Sequence, residues 1–122
     1  VVDDEPLILA FAEEGLNALG YQVVKAEDGA RACEIYSQRA AEIDFVLMDI
    51  VLPGMSGIDA TRKLREINPD VKVILSSGYS GRGKEREVLD AGGVDFIGKP
   101  YTVEMLSRVL SKVRQGAART SP

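Results

Sequence analysis

Five short apolar runs, each followed by a longer amphipathic or polar stretch, constrain this chain more than any other feature. Val1-Val2, Tyr21-Gln22-Val23-Val24, Asp44-Phe45-Val46-Leu47-Met48, Val71-Lys72-Val73-Ile74-Leu75 and Val94-Asp95-Phe96-Ile97 read as strands. The run ending at Met48 is nearly all apolar, as a strand covered on both faces must be. Val1-Val2 reads as the end of a buried strand. Pro6 suits a first helical turn, and Leu7, Phe11, Leu16 and Leu19 form a helical stripe up to Gly20, a stop signal. Asp28-Gly29 opens a second helix with Ala32, Ile35 and Tyr36 on one face. Ser56, with Asp59 three residues on, caps a third helix running to about Asn68. Residues 81–91 carry a thin stripe (Val88, Leu89, Ala91) and predict a weak, mobile helix. Thr102 caps a last helix with Val103, Leu106, Leu110 and Val113 at helical spacing. Strand then helix, repeated, predicts an α/β fold: a parallel sheet, right-handed crossovers and helices on both faces. In such sheets the working crevice lies at the carboxyl ends of the strands.

Composition narrows what that crevice can do. The 122 residues suit one domain, expected over 1–115, with 116–122 a flexible tail or the start of a linker. The net charge of -4 argues against a general nucleic-acid binder, which needs a basic face. There is no histidine and one cysteine, Cys33, so histidine catalysis, the usual zinc cages and an internal disulfide are excluded, which fits a reducing, cytoplasmic setting. No apolar run approaches the ~18 residues of a membrane span, and no signal peptide is visible. A start at Val1 rather than Met leads us to expect a first strand trimmed at its N-terminus.

The residues just after the apolar runs are chemically distinctive. Asp3, Asp4 and Glu5 follow the first, Asp49 the third, Ser76 and Ser77 the fourth, Lys99-Pro100 the fifth. Carboxylates gathered on one rim repel each other unless protonated or neutralised by a cation. Oxygen donors without His or Cys select a hard ion, Mg²⁺ or Mn²⁺. A lysine and a hydroxyl opposite the ion suit phosphate oxygens, and a carboxylate can itself attack phosphorus to form an aspartyl phosphate. The pattern therefore assembles a metal-assisted phosphoryl-transfer site around Asp49. Ordinary readings stand beside it. Asp4 could simply cap the helix at Pro6, Ser77 could belong to a turn, and Lys99 could be a solvated lysine. Asp49 is a poor cap, because Pro53-Gly54 separates it from the next helix.

These segments resemble the receiver domain of two-component response regulators, from Val1 to about Arg114. The resemblance is carried by Val1-Val2-Asp3-Asp4-Glu5-Pro6, Leu47-Met48-Asp49-Ile50-Val51-Leu52-Pro53-Gly54-Met55-Ser56-Gly57, Ser77-Gly78-Tyr79 and Gly98-Lys99-Pro100. It implies a flavodoxin-like (βα)5 doubly wound sheet in three layers with strand order 2-1-3-4-5. It implies that Asp49 is the phosphoacceptor and that Asp3, Asp4, Asp49 and the carbonyl of Val51 hold Mg²⁺. Ser77 and Lys99 match the phosphate-binding hydroxyl and lysine, and Ser77 is preferred over Ser76 because Gly78-Tyr79 continues the pattern. Phe96 matches the aromatic switch, and the Lys99–Pro100 bond is expected to be cis. Val51 and Tyr79 occupy positions that tune loss of the phosphoryl group. Ser in place of the commoner Thr, and Phe where Tyr is frequent, are the departures. The implied partners are a sensor histidine kinase or histidine phosphotransfer domain docking near Leu7, Ala10 and Phe11, and an output domain or target protein. Residues 81–115 could also serve a homodimer. The resemblance implies no activity as an isolated enzyme beyond the domain's own phosphorylation and dephosphorylation. The whole protein could be a stand-alone regulator, a longer regulator or a hybrid histidine kinase.

Other classes fit less well. A haloacid-dehalogenase-type phosphatase needs a second Asp two residues after the first, where this chain has Val51. A flavodoxin needs a hydroxyl-rich loop where Asp3-Asp4-Glu5 would repel phosphate. No G-x-G-x-x-G follows a strand. A receiver-like interaction module that is never phosphorylated remains the alternative. Cys33, Met48, Met55 and the charged residues Arg62, Lys63, Arg65 and Glu66 read as spacers, core or loop filler and a solvated helix face.

Overall fold

A computed structural model describes residues 1–78 and 83–115. Its elements run α1 (Pro6–Ala18), α2 (Gly29–Arg39), a 3-10 turn (Ala40–Glu42), β1 (Val46–Asp49), α3 (Gly57–Ile67), β2 (Val73–Ser77), α4 (Glu85–Asp90), β3 (Asp95–Gly98) and α5 (Val103–Arg114). The three strands form a parallel sheet in the order β1-β2-β3, with Asp49 opposite Ser76 and Ser77 opposite Gly98. Residues 79–82 and 116–122, including Tyr79 and the expected tail, lie outside the described residues.

Two of the five expected strands do not form ladders. Val2 makes only isolated parallel bridges, to Ala26 and to Met48. The position is nonetheless fixed by backbone bonds. The Val2 N–H donates to the Leu47 carbonyl at 2.7 Å, and the Asp3 N–H to the Ala26 carbonyl at 3.1 Å. Val2 therefore lies between the Ala26 segment and β1. This is the neighbour order of a flavodoxin-like, doubly wound sheet.

The strands alternate their side chains between two apolar layers. Met48, Val73 and Leu75 pack with Ala32, Tyr36, Ile58, Leu64 and Val88 from α2, α3 and α4. Leu47, Ile74 and Ile97 pack with Ala12 and Leu16 of α1 and with Leu106, Val109 and Leu110 of α5. Three helices begin on the expected caps: Asp28, Ser56 and Thr102 accept from the backbone N–H of Arg31, Asp59 and Met105.

Three details differ from the sequence reading. The buried face of α1 is Leu9, Ala12, Gly15 and Leu16, while Leu7 and Phe11 are exposed. The apolar residues of α1 surround it, so periodicity alone could not set its phase. The strands β1 and β2 start two residues late and reach Asp49 and Ser77, so both residues belong to the sheet. Helix α4 is confined to Glu85–Asp90, with Val88 and the adjoining Ala91 buried and Leu89 exposed.

Leu64 is completely buried at the centre of the α2–α3 layer. Leu64→Ala should cost about 2–5 kcal/mol, from lost transfer free energy and a residual cavity. The expected result is a lower urea midpoint with an unchanged slope.

Candidate functional site

Asp3, Asp49 and Lys99 converge at the carboxyl edge of the sheet. Asp3 directly follows the doubly bonded Val2, Asp49 ends β1, and Lys99 follows β3. The Lys99 ammonium donates to Asp3 Oδ2 at 2.9 Å and to Asp49 Oδ2 at 2.8 Å. Glu5 Oε2 stands 3.6 Å from the same nitrogen. The side chains of Asp3, Asp49 and Lys99 are only 2%, 6% and 11% exposed, so the lysine is not simply solvated. The remaining carboxylate oxygens are also engaged. Asp3 Oδ1 accepts the Glu5 N–H at 2.9 Å, and Asp49 Oδ1 accepts the Val51 N–H at 3.2 Å. Buried charges persist only when paired and hydrogen-bonded in this way.

Both Asp49 and Lys99 titrate above their ordinary values. Burial pushes the Asp49 carboxyl up, against the downward pull of Lys99 and the Val51 N–H. Burial draws Lys99 down, but hydrogen bonds and charge from Asp49 and Asp3 outweigh it and hold the ammonium above its usual range. The shared direction has two causes: burial raises Asp49, whereas the surrounding carboxylates raise Lys99.

Asp4 is exposed, and one of its carboxylate oxygens lies within 4.8 Å of oxygens from Asp3 and Asp49. It does not cap α1, whose N-cap is Glu5 without a side-chain bond. Three carboxylates with no nitrogen or sulfur donor fit a hard divalent cation, Mg²⁺ or Mn²⁺, and would offset its charge. Above them opens a cleft of about 430 Å³, lined by Asp4, Glu5, Asp49, Val51, Gly78 and Lys99 among others. A second cavity, of about 410 Å³, is bordered by Val23, Phe45, Leu106 and Val109 and includes none of the strand-end polar groups.

Ser77 ends β2, buried, and its hydroxyl donates to the Gly78 carbonyl at 3.1 Å. Its own carbonyl accepts the Lys99 N–H at 2.8 Å, tying β2 to the start of the lysine loop. Phe96 sits half-buried in β3 opposite Leu75, against the α2–α3 layer. Val51 is 53% exposed at the rim. The Lys99–Pro100 peptide is cis. Leu7, Ala10 and Phe11 lie exposed on α1, not in the core.

Three neighbours of the site escaped the sequence reading. Glu5 appeared there only as one more acid. Tyr101 is buried and stacks at 6.1 Å on Phe11, and burial together with nearby Asp3 pushes its hydroxyl up to about 12. Its adjacency to Lys99-Pro100 was the available signal. Gly57 lets α3 close against the end of β1: a Cβ there would lie 2.1 Å from the Asp49 carbonyl oxygen.

A parallel α/β sheet carrying a lysine-clamped acidic cleft at its carboxyl edge defines a receiver-type α/β domain. The model of the family "Response regulator receiver domain" matches residues 1–111, and the chain belongs to that family of two-component signalling domains. It is 33% identical over 114 residues to the chemotaxis protein CheY of Thermotoga maritima, covering 93% of each chain. It is 34% identical over 116 residues to the uncharacterized transcriptional regulatory protein YrkP of Bacillus subtilis, covering 94% of this chain but 48% of that one. The chain thus spans about half the length of that relative. Among solved structures, it is 32% identical to the receiver domain of the sensor histidine kinase PA1611 from Pseudomonas aeruginosa, with a TM-score of 0.80 and 91% of each chain covered. That structure holds a magnesium ion coordinated in its active site cleft.

A carboxyl whose folded pKa lies above its unfolded value stabilises the fold while protonated, and that contribution is lost as pH rises through the folded value. In a chelating buffer, wild type should therefore lose stability relative to Asp49→Asn as the pH is raised from about 4 toward neutral. The gap between their Tm values reads this, and a gap independent of pH would contradict the raised Asp49 carboxyl.

Proposed function

We propose that this domain accepts a phosphoryl group on Asp49 from a phosphohistidine donor and changes conformation to control an output. The observation that carries this reading is Lys99 bridging Asp3 and Asp49 at the mouth of an acidic cleft. One Asp49 oxygen, backed by the Val51 N–H, forms the new bond to phosphorus, and the donor's imidazole nitrogen leaves with the electron pair. Lys99 exchanges a carboxylate for a phosphoryl oxygen and so meets the charge that develops there. Asp3, Asp4, Asp49 and the Val51 carbonyl would hold Mg²⁺, the ion bound by the relative from Pseudomonas aeruginosa. Such an ion supplies charge neutralisation and orientation of the phosphoryl oxygens.

The Ser77 hydroxyl, bonded among the described residues to the carbonyl of Gly78, turns toward the new phosphate. Phe96 then fills the space that Ser77 leaves. This is a two-state element biased by one local charge. The readout face is α4, β3 and α5, which faces an output domain, a target protein or a second copy. Leu7, Ala10 and Phe11, exposed beside the cleft on α1, offer apolar contacts to the phosphohistidine partner. We assign the domain no separate enzymatic activity, and residues 1–115 its whole switching function. No helix among the described residues is long and apolar enough to cross a membrane, and we place its work in the cytoplasm.

Intact mass after incubation with acetyl phosphate tests the reading. A single phosphoryl adduct should form, requiring both Mg²⁺ and Asp49, and Asp49→Asn should remain unmodified. An adduct on folded Asp49→Asn, or none on wild type offered either acetyl phosphate or a cognate phosphohistidine protein, would reject it in favour of a binding module. The tuning positions generate a second expectation. The apolar Val51 and the bulky Tyr79 hinder an attacking water, so the phosphorylated state should be long-lived. Val51→Asn combined with Tyr79→Ala should shorten its half-life severalfold, and an unchanged decay would remove these residues from that role.

A further inference from the structure

Glu5 borders the cleft but stands outside the three-carboxylate cluster of Asp3, Asp4 and Asp49. Its side chain is 60% exposed, and the Lys99 ammonium, its ion-pair partner among the described residues, is 3.6 Å away, beyond hydrogen-bond distance. Lys99 is already committed to Asp3 and Asp49 at 2.9 and 2.8 Å. Among the described residues, four carboxylates at this edge face one ammonium and, when bound, one divalent cation, which leaves one negative charge over. The geometry allots that surplus to Glu5. Its backbone is held in place: the Glu5 N–H donates to Asp3 Oδ1 at 2.9 Å, and Pro6 follows. The charge therefore hangs from a fixed point of the backbone at the rim of the cleft.

We propose that Glu5 selects among phosphoryl donors, disfavouring small dianionic phosphates relative to donors whose leaving group carries a positive charge. The inference rests on Asp49 being the phosphoacceptor. Acetyl phosphate approaches at neutral pH as a dianion. Phosphoramidate carries a protonated nitrogen and one negative charge less, as a phosphohistidine with a protonated ring also does. In both transfers an Asp49 oxygen forms the O–P bond. From acetyl phosphate the P–O bond breaks and acetate leaves with the electron pair. From phosphoramidate the P–N bond breaks and ammonia leaves with the pair. The group delivered is the same, so an effect of Glu5 on chemistry through Lys99 cancels in the ratio of the two rates. What remains is the charge each donor brings past the rim. An exposed unit charge acting on a second donor charge at several ångströms alters encounter roughly three- to tenfold at low salt, and salt screens it.

The test uses the full chain at saturating Mg²⁺ and follows intact mass with each donor for wild type, Glu5→Gln and Glu5→Lys. The ratio of the acetyl phosphate rate to the phosphoramidate rate should rise about three- to tenfold in Glu5→Gln. It should rise further in Glu5→Lys, and the differences should shrink as salt is raised from about 0.02 M to about 0.5 M. A ratio unchanged by both substitutions, rates that move equally for both donors, or an effect indifferent to salt would overturn the proposal. No adduct on wild type from acetyl phosphate, phosphoramidate or a cognate phosphohistidine protein would defeat the phosphoacceptor reading, and this proposal with it; adduct from the phosphohistidine protein alone would overturn this proposal and leave that reading intact. Those outcomes differ visibly from a constant ratio between measurable rates.

Discussion

The ammonium of Lys99 lies where three otherwise separate pieces of chain end. It bonds across 96 residues to Asp3 and across 50 to Asp49, and both partners are almost completely buried. Neither carboxylate would be tolerated in that position alone, because an unpaired buried charge costs several kcal/mol. The parallel sheet makes the pairing possible. Side-by-side strands running in one direction deliver their last residues to one edge, and the polar groups there need each other. Any ligand that takes Lys99 or its carboxylates would therefore act on the balance of the sheet edge itself.

The backbone around that contact is more constrained than the side chains in it. The Val2 carbonyl accepts the Asp49 N–H at 2.9 Å, and the Ser77 carbonyl accepts the Lys99 N–H at 2.8 Å. Gly57 lets α3 pack directly on the Asp49 carbonyl, an approach that any Cβ would block. By contrast, among the described residues the Ser77 hydroxyl bonds to the adjacent Gly78 carbonyl, and Phe96 is half-buried. The backbone frame of the cleft is thus more tightly tied than these two side chains at its edge.

Much of this arrangement was legible in the sequence, for identifiable reasons. The buried strands β1 and β2 announce themselves as apolar runs, and Asp28, Ser56 and Thr102 announce their helices by side chains that satisfy orphan N–H groups. The acid and lysine positions followed from the rule that strand ends face one crevice. What was not legible depends on tertiary context. The phase of α1 is set by the layer that Leu9, Ala12 and Leu16 meet, and apolar residues on its other side conceal that choice. The residues at 21–24 have strand composition but form no ladder, and this part of the chain meets Val2 through an isolated bridge at Ala26. The role of Gly57 appears only when α3 and the end of β1 are brought together. Tyr101 reads as an ordinary loop residue until Phe11 and Asp3 are placed next to it.

The distribution of exposure among the acids completes the argument. Asp3 and Asp49 are buried and satisfied by Lys99 and by backbone N–H groups, whereas Asp4 and Glu5 remain open to solvent at the rim. The inner pair can hold its geometry without a ligand, because one ammonium already answers both. The outer pair is not hydrogen-bonded to that ammonium: Glu5 stands 3.6 Å from it. Asp4 lies close enough to the inner oxygens to share a cation with them, while Glu5 lies to the side, near Lys99 but not bonded to it. The same short acidic stretch, Asp3-Asp4-Glu5, thus places one residue in the buried base of the cleft, one beside its inner carboxylates and one at its rim. Three consecutive residues of one chemical type acquire different surroundings because the chain turns there from the sheet into α1, so each faces a different depth of the cleft.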